Sequence, residues 1–440
     1  MAESGNMPNT ASVDTGSAAS IAAFPQGESP TTLDQANAIA TDRIESRLVA
    51  VGTELTRAIS GVIAAVPTSK TRPLALSHEL KVNKDVAYRT IKASELADPI
   101  AAIHQMPGPG PLRKLVRGAA KLGIDRELVR RATEAIDRFE ELINSEAGDR
   151  GMLDGILSGW LPEVREKTDL AAKQAAYRGL SHLVGAAAEV VFDAAILTPS
   201  RESPFLTDGV FIRGLLGMRL GRAGAKVVFA NRLLCPPAGR PPSTTIDNKP
   251  ITSLRDIIQR EFSSSDLSAT APVFSSDHER LLLLPESLGR SGAIDVVTAE
   301  FNPSCVYHTA PPGKRGKSGA YSEVILPARR SVFDVFVHES IFEGRTPHAV
   351  VYNTSIDGLA NINDASRDHS RLDLPLRVET LGAGVSSTRV SDIPRYTELL
   401  RSVMSTRGLN EKQFRHYRCQ QDFPLYGSQL YLAWDVVGAG

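Results

Sequence analysis

Apolar residues between positions 41 and 66 recur at alternating steps of four and three. This spacing places them along one side of an α-helix of about seven turns, which Pro67 would end. The helix could pair two copies of the chain, or it could pack inside its own domain, and the pattern leaves both interpretations open. The apolar positions are Ile44, Leu48, Val51, Leu55, Ala58 and Val62.

Residues 76–91, LSHELKVNKDVAYRTI, predict two short helices joined by a tight turn. Leu76, Leu80 and Val82 supply the apolar positions that would lock the two helices together. Asn83 stands where the second helix needs an N-cap. The second helix would then present its polar side chains outward, namely Lys84, Asp85, Tyr88, Arg89 and Lys92.

This stretch resembles the bacterial helix-turn-helix transcription factors, whose pattern runs Leu-Ala-x-x-Leu-Gly-Val-Ser and, after three residues, Val-Tyr-Arg. The chain departs from it at Ser77, at Ala87 and at Lys81, which replaces a Gly that usually takes a left-handed conformation. The resemblance implies a helix that enters the DNA major groove. The DNA-contacting residues expected from it are Arg72, Asn83, Lys84, Asp85, Tyr88, Arg89 and Lys92. The alternative is an ordinary helical hairpin with a basic second helix.

Residues 106–111, Met-Pro-Gly-Pro-Gly-Pro, form a cluster of helix breakers after this motif. We expect neither helix nor central strand there. The cluster could be a β-turn or a wing, a phosphate-holding loop between helices, or a plain connection. Residues 126–144 then predict another amphipathic helix, and residues 148–151 a hinge.

The later part of the chain has a different residue pattern. Residues 162–197 are rich in Ala and predict one long or two abutting helices, in which His182 would be a hydrogen-bonded core residue. Short β-like runs follow at 209–216, 226–234, 294–300, 321–326, 332–337, 349–353 and 429–436. Helices are expected near 395–406 and 411–417. The fold class expected is α+β: an all-α N-terminal domain, then a mixed domain with a largely antiparallel sheet.

Three segments follow from these patterns. Residues 1–33 are rich in small and polar residues and predict a disordered tail. Residues 34–147 would form the helical DNA-binding domain. Residues 148–440 would form an α+β sensor or oligomerisation domain, helical over 160–197 and β-rich over 205–440.

The overall charge is balanced, with 50 basic and 50 acidic residues, but its distribution is uneven. Residues 70–131 contain thirteen Lys or Arg and six Asp or Glu, a local excess of seven positive charges. Because phosphate neutralisation supplies most non-specific DNA affinity, this excess fits a DNA-binding domain. A solvated basic face is the alternative.

Other features bear on location and chemistry. We expect neither a secretory signal nor a membrane span, and three widely spaced cysteines (Cys235, Cys305, Cys419) suggest reduced thiols in a cytoplasm. Residues 311–318, PPGKRGKS, imitate a phosphate-binding loop but have Pro311 in place of its first Gly and precede a strand-like run. No metal-ligand spacing and no catalytic motif stand out, so we expect no cofactor, no metal and no enzyme.

The sequence therefore predicts a DNA-binding transcriptional regulator. Its partners would be double-stranded DNA, a second copy of the chain and an unidentified small-molecule effector, and it would act in the cytoplasm at the nucleoid. The alternative is an enzyme or assembly protein in residues 150–440, with the N-terminal helices as a protein-interaction module.

Overall fold

The chain folds into an α+β structure with its helices mainly N-terminal and its strands C-terminal. The computed structural model describes residues 32–67, 72–234, 241–265, 270–275, 277–284 and 287–438, with side chains from residue 41 onward. Residues 28–169 form one compact unit, and residues 170–440 belong to the other. The tail predicted over residues 1–33 lies outside the described residues, except that the first helix already begins at Thr32.

The helical unit contains seven helices and the start of an eighth within its described part. A single π-helical turn, Ile143–Ala147, extends the sixth. The helices are α1 (Thr32–Ala65), α2 (Pro73–Leu80), α3 (Lys84–Glu95), α4 (Pro99–Gln105), α5 (Pro109–Lys121), α6 (Arg126–Leu142), α7 (Arg150–Ser158) and α8 (Pro162–Val184).

The apolar stripe of α1 is buried inside the helical unit. Leu48, Leu55 and Val62 are fully buried, and α1 packs against α3, α4 and α6. The segment Thr41–Ala65 is long and apolar enough to span a membrane by composition alone, but its stripe contributes to this core. Packing within its own domain therefore accounts for the stripe, which is not left free to pair two copies of the chain.

The helical unit ends later than the expected hinge at residues 148–151. Leu153 and Leu157 of α7 are fully buried in the core that α1 and α6 form, which places α7 in the same unit. Gly148 does interrupt the chain there, with a φ of 82°. Asp149 then caps α7 by accepting a hydrogen bond from the backbone N–H of Met152 at 2.9 Å.

The Pro-Gly cluster does contain helix, contrary to the expectation. Pro107 and Gly108 connect α4 to α5, whereas Pro109, Gly110 and Pro111 form the first turn of α5. Proline is compatible with this position because the N–H groups of the first turn have no partner within the helix. The segment therefore joins two helices and is not a wing, and the phosphate-holding loop and the plain connection both stay open.

The β-rich unit contains fourteen strands in its described part, and α9 (Tyr396–Thr406) packs against the largest sheet. The strands are β1 (Ala186–Pro199), β2 (Leu206–Leu220), β3 (Val227–Leu233), β4 (Thr244–Thr245), β5 (Thr270–Phe274), β6 (His278–Leu283), β7 (Ile294–Tyr307), β8 (Arg315–Glu323), β9 (Ala328–His338), β10 (His348–Asn353), β11 (Arg371–Leu372), β12 (Val378–Ala383), β13 (Phe414–Asp422) and β14 (Ser428–Val437).

These strands form three sheets. The largest has the order β12-β13-β9-β1-β2-β7-β4, the second β11-β10-β14-β8 and the third β3-β6-β5. Pairing is antiparallel except between β1 and β9, where Ala188 lies opposite Ala328. Six of the seven predicted strands match strands of the structure, and so does the helix near residue 400, whereas the run predicted at 321–326 covers only the end of β8, which stops at Glu323.

Two helical predictions were wrong. Residues 186–197 form β1, a strand between β2 and β9 that is buried on both faces, so its pattern does not alternate. Residues 411–417 contain only a short 3₁₀ turn, Glu411–Gln413, before β13 begins. In addition, α8 has no fully buried residue and His182 is exposed, so it is not a core histidine.

Two cysteines lie within the described residues, Cys305 and Cys419, and both are buried. Burial raises the pKa of the Cys419 thiol to about 12, which leaves it unreactive. Cys235 lies outside the described residues.

Candidate nucleic-acid interface

Helices α2 and α3 meet as the sequence predicts, through an apolar seam. Leu76 and Leu80 of α2 are buried, and Val82 in the turn packs against the same core. Ala87 stands where the transcription-factor pattern has Val, and it is fully buried within α3. The turn consists of Lys81, Val82 and Asn83, the three-residue connection that such helix pairs use.

Lys81 adopts the left-handed conformation that the pattern normally assigns to glycine. Its φ and ψ are 53° and 44°, and its N–H donates to the carbonyl of Ser77 at the end of α2. The next N–H, that of Val82, donates to the same carbonyl at 3.1 Å. The Ser77 hydroxyl donates to the Val82 carbonyl at 2.8 Å. These bonds hold the turn in place although Lys81 carries a Cβ atom.

Asn83 caps α3. Its side-chain oxygen accepts a hydrogen bond from the backbone N–H of Asp85 at 2.9 Å, and its backbone is extended. The side chain is therefore occupied in starting the helix, and we assign it a positioning role. Asp85 lies in the first turn of α3, where a carboxylate interacts favourably with the positive end of the helix dipole.

The outer face of α3 carries polar and aromatic side chains. Lys84, Tyr88 and Lys92 are exposed and lie four residues apart, so they form one line along the helix. Tyr88 leaves 47% of its surface exposed. Lys92 is bonded to Glu95 at 3.0 Å, and this bond raises the pKa of the Lys92 ammonium. The line is therefore basic at physiological pH.

Arg89 does not share this outer face. Its Nε donates to the carbonyl of Gln105 at 3.1 Å and its Nη2 to that of Met106 at 3.2 Å. Arg150 donates to two further carbonyls of the same helix, those of Ile103 and His104. The two guanidinium groups thus cap the carboxyl end of α4, where cations are favourable. Sequence patterns could not show this role because the carbonyls lie in later helices.

Most of the basic excess in residues 72–131 is not neutralised locally. Within the described residues, Arg72, Lys81, Lys84, Lys114, Lys121 and Arg126 make no ion pair. By contrast, Arg113 bonds to Asp137 and Glu140, which raises its pKa. Arg72 directly precedes α2, and its side chain is exposed. A phosphate contact at this position would require that exposure.

Three of these lysines flank one point of close helix packing. A Cβ atom at Gly118 of α5 would lie 2.4 Å from the backbone oxygen of Leu80, so α5 crosses α2 directly beside the turn. Lys114 and Lys121 lie one helical turn to either side of Gly118 on that face, and Lys81 follows Leu80. We call Lys81, Lys114 and Lys121 the turn cluster.

Two other arginines, Arg418 and Arg330, are already paired with carboxylates. Within the buried core, the carboxylate of Asp334 accepts hydrogen bonds from Nε and Nη2 of Arg418, at 2.7 and 2.6 Å. It also accepts one from the hydroxyl of Tyr396 at 2.8 Å. Burial alone would raise the pKa of Asp334, but Arg418 and His416 together lower it. Arg330 pairs with Asp392 and Asp422 on the surface.

The residues that imitate a phosphate loop, 311–318, run into β8 rather than a helix. A phosphate loop needs the N-terminus of a helix behind it, so this segment lacks the required context. No group of His, Cys, Asp and Glu that could hold a metal ion occurs among the described residues.

Two large cavities lie in the β-rich unit. One, of about 600 Å³, opens where β1 and β9 end. Its Arg407 is already bonded to the carbonyl of Ile246 at 3.3 Å and stacks 3.6 Å above the Phe301 ring. The other, of about 650 Å³, is lined by β3, by the end of β8 and by Arg213 of β2.

Comparisons with known proteins add little to this picture. No protein-family model and no curated protein matches the chain. Among solved structures, one likeness is to a candidate protease from Parabacteroides distasonis, at 8% identity and a TM-score of 0.26. It covers 57% of this chain and 40% of that one, and at this TM-score it carries no argument about fold or function.

Proposed function

We propose that this chain is a DNA-binding transcriptional regulator whose helix α3 enters the major groove of double-stranded DNA. The observation that carries the proposal is the exposed line of Lys84, Tyr88 and Lys92 on a capped helix behind a left-handed turn. A helix fits the major groove, where lysine reaches guanine edges or phosphates and tyrosine reaches phosphates. Asp85 at the start of the helix could accept a hydrogen bond from cytosine.

The turn cluster supports the same reading. Lys81, Lys114 and Lys121 lie beside the junction of the two helices and make no ion pair within the described residues. Cations placed beside a recognition helix can neutralise phosphates along the groove edge, which supplies sequence-independent affinity. Arg72 would contribute a further phosphate contact, whereas Arg89 and Asn83 act by holding the helices in place.

Regulators of this type commonly bind two half-sites as dimers, and we keep that proposal for this chain. The apolar stripe of α1 is buried, so a dimer contact would come from another surface. The β-rich unit would then sense a signal or mediate assembly, with the protein acting at the nucleoid in the cytoplasm. An enzyme or assembly protein in residues 150–440 is the second candidate, and the 600 and 650 Å³ cavities favour it.

Fluorescence anisotropy with a labelled random duplex at several salt concentrations tests the proposal. A Lys84→Gln, Lys92→Gln variant should bind about tenfold more weakly and reduce the dependence of log K on log salt by about two. A matched variant, Arg43→Gln with Arg57→Gln, removes two exposed charges of α1 that have no ion pair among the described residues. It should bind as the native protein does.

Selection from a random DNA pool then tests sequence specificity. The native chain should enrich a motif, and the lysine variant should not. Absence of salt-dependent binding at low salt, or an equal loss in the two variants, would refute the assignment of α3. Arg89 is left unchanged because its removal would free two carbonyls of α4 and confuse a loss of structure with a loss of contact.

A further inference from the structure

The 650 Å³ cavity of the β-rich unit is cationic, and its size falls in the range that small ligands occupy. Arg213, Lys226 and Arg280 line it, and Glu323 is the one acidic residue among the lining residues that the structure describes. Lys226 and Arg280 are exposed and make no ion pair with any described residue. The cavity is therefore lined by three cationic side chains and one carboxylate, although Arg213 is also paired with Asp193.

Arg213 is held in a fixed orientation. Its Nε donates to Oδ1 of Asp193 at 2.8 Å, and the buried carboxylate of Asp193 also accepts the hydroxyl of Ser322 at 2.5 Å. Within the described part of the chain, the two terminal nitrogens of Arg213 make no hydrogen bond. A guanidinium that is anchored through Nε keeps two parallel donors available, which is the geometry that recognises a carboxylate or a phosphate.

Glu323 is the carboxylate that an anion in this cavity would meet, and it makes no ion pair with Arg213. Burial raises the pKa of Glu323, Arg213 opposes this effect, and the nearby Asp193 adds to it. The protonated form of a carboxyl group can donate a hydrogen bond to an anion, whereas the ionised form repels it.

Part of the remaining wall is apolar. Val228 of β3, Ile325 and Tyr426 line the cavity and are at least partly exposed. An anionic group alone would leave this surface in contact with water. An apolar body attached to the anion would cover it, at roughly 25 cal/mol per Å² of buried surface.

We propose that this cavity binds a small organic anion, with its carboxylate or phosphate on the guanidinium of Arg213 and its apolar body against Val228, Ile325 and Tyr426. The inference rests on the β-rich unit alone and does not depend on DNA binding. It assigns a ligand class to a site that neither the sequence motifs nor the comparisons indicated.

Isothermal titration of the full chain with two probe anions, 4-phenylbutyrate and phenyl phosphate, tests the proposal. The uncharged 4-phenylbutanamide serves as the matched probe without the anion. At least one anion should bind with a dissociation constant in the range of about 1 mM or below, and the amide about tenfold more weakly. The anion that binds more tightly distinguishes a carboxylate ligand from a phosphate ligand.

Variants locate the binding. Arg213→Lys keeps a positive charge beside Asp193 but loses the two parallel donors, and it should weaken anion binding by about tenfold. Arg290→Gln removes an exposed charge outside the cavity and should have no effect. Glu323→Gln should tighten binding, because it removes the carboxylate that repels an anion in its ionised form.

Circular dichroism confirms that each variant is folded. If Arg213→Lys does not fold, the Glu323→Gln variant and a Lys226→Met, Arg280→Met variant, which should weaken anion binding, still decide the question. Binding of neither anion at about 10 mM, equal binding of the amide, or unchanged affinity in the cavity variants would overturn the proposal.

Discussion

Replacing Lys81 by glycine should stabilise the helical unit. Lys81 has a φ of 53°, and a left-handed residue with a Cβ atom costs about 1–2 kcal/mol. Glycine removes this cost. It also raises the conformational entropy of the unfolded chain, which lowers the gain in stability by about 0.4–1 kcal/mol. The exposed lysine makes no ion pair within the described residues, so little else is lost. We expect a net gain of about 0.5–1 kcal/mol.

Urea unfolding followed by tryptophan fluorescence can measure this gain. The chain has two tryptophans, of which Trp160 packs against the helical core and Trp434 is buried in the β-rich unit. A Trp160→Phe version identifies which transition reports on the helical unit. With a urea dependence of about 2 kcal/mol per M, the midpoint should rise by roughly 0.3–0.5 M.

Lys81→Ala is the matched control, because it removes the same charge and chain length but keeps the Cβ atom. It should leave the urea midpoint nearly unchanged, and it should weaken DNA binding as much as Lys81→Gly does. If glycine lowers the midpoint relative to alanine, the turn is not left-handed and the relation of α2 to α3 has been assigned wrongly.

The remaining predictions concern packing and buried charge. Asn83→Ala should lose the cap of α3 and about 1 kcal/mol, and Asn83→Asp should retain both in the same urea assay. Gly118→Ala should destabilise the helical unit by about 1–3 kcal/mol, since its Cβ would lie 2.4 Å from the last carbonyl of α2, and Gly110→Ala, with open space around it, should be tolerated. Asp334→Asn should cost about 3–5 kcal/mol by breaking a buried ion pair. Because the native pKa of Asp334 is lowered, its stabilisation is fully present above the ordinary value of about 3.9 and is lost as pH falls through the lowered value. Acid titration of Trp434 fluorescence should show this loss in the native protein, and the Asp334→Asn variant should lack that component.

Short-range sequence signals predicted the local geometry of α2 and α3. The turn between α2 and α3 depends on residues within a few positions of one another, so Asn83 and the seam of Leu76 and Leu80 could be read from the sequence. Arg89 could not, because the carbonyls that it caps lie in a later part of the chain.

Longer-range structure was harder to predict. Residues 186–197 are rich in alanine, which favours helix, and they become a strand because β2 and β9 cover both of their edges. Nor could the sequence indicate the cavity around Arg213, since β2, β3 and β8 each supply part of it. Strands such as β9 and β14 were found because short runs rich in β-branched and aromatic residues mark them.

The parallel pairing of β1 with β9 has a consequence for biosynthesis. The two strands that pair with β1 lie at very different distances from it along the chain. β2 is the next strand, whereas β9 ends only at His338. One edge of β1 therefore stays without its partner until most of the β-rich unit has left the ribosome, while the helical unit can already fold from local contacts. An apolar strand edge exposed for that long is a template for association with other nascent chains. Folding of this protein should thus be limited by the arrival of β9, and substitutions that slow its docking should lower soluble yield before they lower the stability of the finished molecule.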